Sequence, residues 1–208
     1  MEYSLPEDRM PEAEVTLRLA FYLLALPDSQ DVAEVAIDGA QVRVHRAEVF
    51  PIAAFLLDMG WKQVRQMGKN DWQGWYERGG QRLKIQARPG MGDVVVTVGA
   101  KRVRAECKGG PLVKKPGSRE YPILRGALGQ VITVEQVDAN DIPIVAVPHS
   151  PGFANSPIGG ERLHLSSVQE FRLCWWAGMG LWMGWIYADP RNYALLPSVL
   201  DRVFRREL

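Results

Sequence analysis

Asp93, Glu106 and Lys108 are the residues whose types and spacing imply chemistry most directly. They flank Gly99-Ala100, a pair suited to a two-residue hairpin turn in which Gly99 takes positive φ and Val98 faces Lys101. The same register sets Asp93 opposite Glu106. Side chains alternate along a strand, so one face presents Asp93, Val95, Thr97, Arg102, Arg104, Glu106 and Lys108. The other presents Val94, Val96, Val98, Val103, Ala105 and Cys107. Two carboxylates facing each other across a ladder repel, and a divalent cation between them turns that repulsion into attraction. Such hard oxygen donors suit magnesium or manganese rather than zinc. Lys108 lies on the same face, about 7 Å beyond Glu106 at the rise of an extended strand. Its ammonium can orient a water and offset charge on a phosphorane-like transition state. The plain alternative is that Asp93 caps the start of its strand while Glu106 pairs with Arg102 or Arg104 on an exposed sheet face.

The surroundings of this hairpin are basic. Lys101–Arg125 carries eight Lys/Arg against Glu106 and Glu120, whereas Met1–Gly60 carries eleven Asp/Glu against four Lys/Arg; both are hidden in an overall charge of +1. A basic patch at the site of chemistry suits a polyanion, and Arg102, Arg104, Lys114, Lys115, Arg119 and Arg125 are the candidate phosphate contacts. Trp61, Trp72, Trp75 and Tyr76 form an aromatic segment able to stack bases, although strand and core packing is the favoured explanation of them. Cys107 projects to the apolar face and reads as a small hydrophobe rather than a nucleophile. His149, after the last apolar run, reads as solvent-facing or as approaching a substrate.

Several elements must position these groups. Glu14–Leu26 has apolar residues at helical spacing up to Pro27, and Ala33–Ile37 with Ala40–Val44 reads as a hairpin around Asp38-Gly39. Glu48–Met59 reads as a second helix stopped by Gly60. Trp61–Val64 is a candidate strand, Gly74–Arg78 with Gln81–Gln86 a hairpin, Glu120–Val134 a helix, and Ile142–Val147 a buried strand. Leu173–Tyr187 is Trp-rich and apolar, but shorter than the roughly 20 residues of a membrane-spanning helix. It is expected to be a buried or subunit-contact helix. With 47% hydrophobic residues in 208, the chain can bury one substantial core. Cys107 and Cys174 form neither a disulfide framework nor a zinc signature. Met1–Glu14 is acidic and proline-punctuated, unlike an export signal, so a cytoplasmic location is expected.

Asp93, the turn, Glu106-Cys107-Lys108, the following Gly109-Gly110 and the helix downstream together resemble the core motif of the PD-(D/E)xK nuclease superfamily, particularly its restriction-endonuclease-like and Mrr-like members. The resemblance covers roughly Glu48 to Val147. It implies an α/β fold with a central mixed sheet flanked by helices, built as helix, three antiparallel strands, helix and strand over residues 47–150. Residues 1–46 would be a helix-hairpin elaboration and residues 151–208 a helical extension. It implies Mg²⁺ or Mn²⁺ held by Asp93, Glu106 and the backbone carbonyl of Cys107, with Glu48 as the further acid from the preceding helix and Asp58 as a weaker candidate. Gly92 stands where the motif's name has proline. Gln130 is placed like a glutamine of some relatives, with Val134 where they have tyrosine. The implied activity is metal-dependent endonucleolytic cleavage of DNA, in defence or repair. Dimerisation through the Trp-rich segment and a partner protein that selects the target are both compatible with it. The competing readings are a catalytically silent nucleic-acid-binding or assembly module on the same fold, and an RNA-cleaving nuclease.

Overall fold

Alternation of Val94, Val96 and Val98 with Val95 and Thr97 sends one side of this strand into the core, and a mixed sheet is assembled around it. The computed structural model describes residues 8–44, 47–87, 90–113, 120–132, 138–148, 172–176 and 181–186. In chain order the elements are β1 (Arg9–Met10), α1 (Glu12–Leu24), β2 (Ser29–Ala36), α2 (Gly39–Val42), β3 (Arg43–Val44), β4 (Ala47–Glu48), α3 (Ile52–Asp58), β5 (Lys62–Gln66), β6 (Gly74–Arg78) and β7 (Gln81–Gln86). They continue as β8 (Val94–Val98), β9 (Lys101–Cys107), β10 (Gly110–Pro111), α4 (Glu120–Ile132), β11 (Asp141–Ala146), β12 (Arg172–Trp176) and β13 (Leu181–Ile186).

The main sheet has nine strands in the order β12-β13-β11-β9-β8-β2-β7-β6-β5. At its centre β8 runs antiparallel to both β2 and β9, and β9 runs parallel to β11. A parallel pair requires a crossover, which α4 supplies. Helix α1 buries Leu17, Ala20, Leu23 and Leu24 against the inward residues of β2, β7, β8 and β9, and α3 adds Ile52 and Leu56 to the same cluster. On the opposite face α4 places Leu124, Ala127 and Val131 against Val145 and Val147. The chain is thus α/β, with helices on both sides of a mixed sheet.

Three expectations are corrected. The hairpin around Asp38-Gly39 does not form: β2 is a central strand between β7 and β8, and the chain after it enters the short α2. Ala33 and Val35 are wholly buried there, and central burial outweighs a local edge pairing. The helix expected from Glu48 begins only at Ile52, after Pro51; a residue preceding proline is disfavoured in helical conformation, which excludes Phe50 from the helix. The expected C-terminal Trp-rich helix is instead the antiparallel pair β12 and β13, with β13 parallel to β11. Gly178, Gly180 and Gly184 weaken helix in that segment, whereas tryptophan and isoleucine favour strand. The first strand expected at Trp61–Val64 is present one residue later, as β5 at the sheet edge.

Candidate active site

The central hairpin has the register read from its turn: Val98 pairs with Lys101 and Val94 with Ala105, and Gly99 has φ +57°. Asp93 lies one residue outside β8, where the ladder shifts. Its N–H donates to the Ala105 carbonyl at 2.8 Å, and its own carbonyl accepts from the Ala36 N–H at 2.9 Å. Its carboxylate Oδ2 then accepts the Cys107 N–H at 2.7 Å. A side-chain oxygen thus closes the ladder where the backbone departs from it. Gly92 makes the departure possible, because its φ is +153° and a Cβ there would stand 2.9 Å from the Ala105 oxygen.

Lys108 follows β9, and its N–H donates to the Ala146 carbonyl at 2.9 Å. Its ammonium donates to Glu106 Oε1 at 2.7 Å and to Glu12 Oε1 at 3.2 Å. Glu12 opens α1, where it and Glu14 complement the positive end of the helix dipole. Its approach depends on Gly109: a Cβ at that position would lie 2.6 Å from the Glu12 nitrogen and 2.8 Å from the Met10 carbonyl oxygen. The antiparallel pairing of β1 with β10 holds this close approach in place.

Two carboxylates, Glu12 and Glu106, therefore grip one ammonium, and Asp93, held by the Cys107 N–H, is electrostatically coupled to them. Burial, reinforced by the Glu106 charge, pushes the Asp93 carboxyl up to about 7, against the Cys107 hydrogen bond and Lys108, which lower it. For Lys108, burial disfavours the charged form, but the hydrogen bond to Glu106 and the charges of Glu12, Glu106 and Asp93 outweigh it and hold the amine above its ordinary value. The Cys107 side chain is wholly buried, and burial pushes its thiol well up. It is a core residue, as its face implied.

The donor set is all oxygen, which fits a hard dication. Since the Lys108 N–H points to β11, the Cys107 N–H and carbonyl point to the β8 side, where β8 has ended. Among the described residues no three His, Cys, Asp or Glu side chains are gathered tightly enough to hold an ion, and the Lys108 ammonium occupies both Glu106 and Glu12. The chemistry of the donors fits; a dication requires Lys108 to release one of its two carboxylates.

The remaining candidates divide. Glu48 is exposed on β4 in the separate β3–β4 ladder, and Asp58 is exposed at the end of α3. The helical acid brought to the cluster is instead Glu12. Arg102 and Arg104 are engaged by acids of the neighbouring strand and its approach: Arg102 binds Asp141 at 2.6 Å and Asp138 at 2.6 Å, while Arg104 binds Asp141 at 2.8 Å and the Met91 carbonyl at 2.8 Å. Burial opposes ionisation of Asp141, but hydrogen bonds from the two arginines prevail and carry its carboxyl down to about 2. These arginines fasten β9 to β11. Gln130, exposed on α4, lines a cleft of about 30 Å³ with Gly92, Arg104, Glu106 and Asp141. Arg125 is exposed on α4 over the Tyr121 ring at 5.7 Å. Lys114, Lys115, Arg119, Val134 and His149 lie outside the described residues. Trp61, Trp72 and Tyr76 are buried, leaving Trp75 half-buried. No family model, curated protein or solved structure matches the chain.

Glu12 was missed because it stands 96 residues from Lys108. The one signal for it was Gly109-Gly110, since a glycine pair directly after a functional strand permits another backbone to come close.

Proposed function

We propose that the protein is a magnesium- or manganese-dependent endonuclease that hydrolyses phosphodiester bonds in DNA, built on a PD-(D/E)xK plan. The observation that carries this reading is the convergence of Glu12 and Glu106 on the Lys108 ammonium at the end of the central hairpin where the Cys107 N–H holds Asp93. Element order supports it: α1, β2, β8, β9, α4 and β11 follow the expected sequence of helix, three antiparallel strands, helix and strand. In this reading the core starts at α1 rather than at Glu48, and the segment from α2 to β7 is an insertion between its first two strands.

Glu12, Asp93, Glu106 and the Cys107 carbonyl would hold the cation, which when bound supplies charge neutralisation and lowers the pKa of a bound water. Asp93 is pre-positioned by the Cys107 N–H, so it needs no reorganisation to present its second oxygen. Glu106 fixes the Lys108 amine, which remains protonated, orients the attacking water and offsets charge on the phosphoryl oxygens as the water loses a proton to solvent, its oxygen bonds to phosphorus, the P–O bond to the leaving sugar breaks and the leaving oxygen takes a proton from solvent. Gln130, on the cleft beside Glu106, is placed to donate to a phosphate oxygen.

The test is cleavage of supercoiled plasmid DNA with Mg²⁺ or Mn²⁺. Wild type is expected to nick or linearise it, with Lys108→Ala and Asp93→Ala each slower by about 100-fold or more while remaining folded. The double ion pairing of Lys108 favours one other reading, a silent nucleic-acid-binding module in which the ammonium permanently replaces the cation. Equal DNA binding by wild type and variants with no cleavage by any would establish that reading instead.

A further inference from the structure

The antiparallel wing β5–β6–β7 forms the far end of the sheet. Between Trp61 and Gln86 it carries six basic residues, Lys62, Arg65, Lys69, Arg78, Arg82 and Lys84, against Asp71 and Glu77, a surplus of four positive charges. One of the six is structural: the Arg78 guanidinium lies over Trp61 at 4.7 Å and Phe21 at 5.4 Å and donates to the Met59 carbonyl, fastening the wing to the core. The wing is thus an anchored extension of the sheet.

Residues paired across strands share a face. Ladder partners run Arg65–Trp75, Trp75–Lys84, Lys84–Glu34, Glu34–Val95 and Val95–Arg104, one row from the sheet edge to the strand that bears Glu106. Lys62, Glu77 and Arg82 form the neighbouring row on the same face. Two cations there are matched by acids: Arg82 binds Glu77 at 3.2 Å and Lys84 binds Glu34 at 3.1 Å. The excess charge therefore sits on Lys62 and Arg65 of β5, all five residues of which are exposed, and on exposed Lys69 beyond it. Trp75 is the wing aromatic turned outward, with the Arg82 guanidinium 4.9 Å from its ring centroid. From β6 to β9 is four strand spacings, about 19 Å, a span of a few nucleotides.

We infer that this face of the wing is a track for single-stranded nucleic acid leading to the acid cluster, with Lys62 and Arg65 holding phosphates and Trp75 stacking a base. The inference rests on the nuclease reading and names the strand form it engages. A single strand is specified because an aromatic platform needs an unstacked base face, which a duplex interior does not offer, while the surplus cations side by side on the edge strand attract a polyanion.

The test uses the full chain with Asp93→Asn as a cleavage-silent parent and reads the fluorescence anisotropy of a labelled oligothymidylate, a matched abasic strand and a matched duplex. The parent is expected to bind the single strand more tightly than the duplex. The double substitution Lys62→Glu and Arg65→Glu should weaken single-strand binding at least about ten-fold and reduce the slope of log affinity against log salt by about 1.4, two contacts at the single-strand value. Trp75→Ala should cost about five- to a hundred-fold on the base-bearing strand, little on the abasic one, and Trp75→Phe should restore most of the loss. Unchanged binding by folded wing variants would overturn the track and leave the nuclease reading standing. A parent that prefers the duplex would overturn the single-strand assignment alone, and one that binds neither form would overturn both readings.

Discussion

Glu12 and Lys108 meet at 3.2 Å across 96 residues of chain, and the contact exists because Gly109 has no side chain to keep α1 away. Glu106 holds the same ammonium from the strand side at 2.7 Å. The amine is thus gripped by two elements, α1 and β9, whose relative position the central sheet fixes.

If Glu12 is part of the reacting centre, Glu12→Gln should lower the rate of metal-dependent plasmid cleavage by about ten- to a hundred-fold, the usual range for loss of a supporting ligand. Glu48→Gln, exposed on its separate ladder, should leave the rate within about two-fold. Initial rates at saturating metal make the comparison; the reverse ranking would return the helical acid to Glu48.

The Asp93 carboxyl makes metal-free stability pH-dependent. Its folded value is raised to about 7 from an ordinary 3.8, so the folded state binds the proton more tightly than the unfolded chain. Stability from this group is fully present below about pH 4, declines as pH rises towards 7, and is lost above that. Asp93→Asn, which cannot ionise, should therefore gain on wild type across this window, by roughly 2–4 kcal/mol at pH 8 relative to pH 4. Urea unfolding of both proteins in chelator at several pH values measures the difference, and a gap that does not change with pH would rule out a strained carboxyl.

Two glycines are expected to be irreplaceable for different reasons. Gly109→Ala sets a methyl group against the Glu12 nitrogen and the Met10 carbonyl; it should destabilise by about 2–3 kcal/mol, the upper part of the usual range for a steric core defect, and separate Glu12 from Lys108. Gly92→Pro should be harmful too, since φ +153° is closed to proline. Gly79→Ala, whose added methyl would meet nothing within 4 Å although φ is +56°, should cost only about 1 kcal/mol. Thermal melts rank the three.

What could be read from the sequence was local. The β8–β9 register followed from Gly99-Ala100 and a period of two, and the structure reproduces it from Val94–Ala105 to Val98–Lys101. Helices α1 and α4 and the β6–β7 hairpin were legible for the same reason: each carries its own periodicity or turn. The insertion of β2 between β7 and β8 was not, because both partners lie tens of residues downstream and nothing within 29–36 distinguishes a central strand from half of a hairpin. The apolar run around Trp175 and Trp182 has no decisive period, so the expectation of a helix there rested on its length and apolarity alone. At the site, Asp93, Glu106 and Lys108 could be grouped from one hairpin, whereas Glu12 required the tertiary fold. The pairing of Arg102 and Arg104 with Asp141 was not legible, because Asp141 begins a parallel strand whose register no local signal gives.

The most direct measurement is a calorimetric titration of the purified full chain with Mn²⁺ at pH 7. A centre of Glu12, Glu106 and Asp93, the last with its carboxyl pushed up to about 7 by burial, should take up the ion with release of a proton, seen as a dependence of the heat on buffer ionisation enthalpy. Asp93→Asn should abolish that dependence and weaken binding by at least about ten-fold. A wild-type protein that is folded yet takes up no Mn²⁺ would contradict a cation-dependent centre and leave Lys108 as the permanent counter-ion of Glu12 and Glu106.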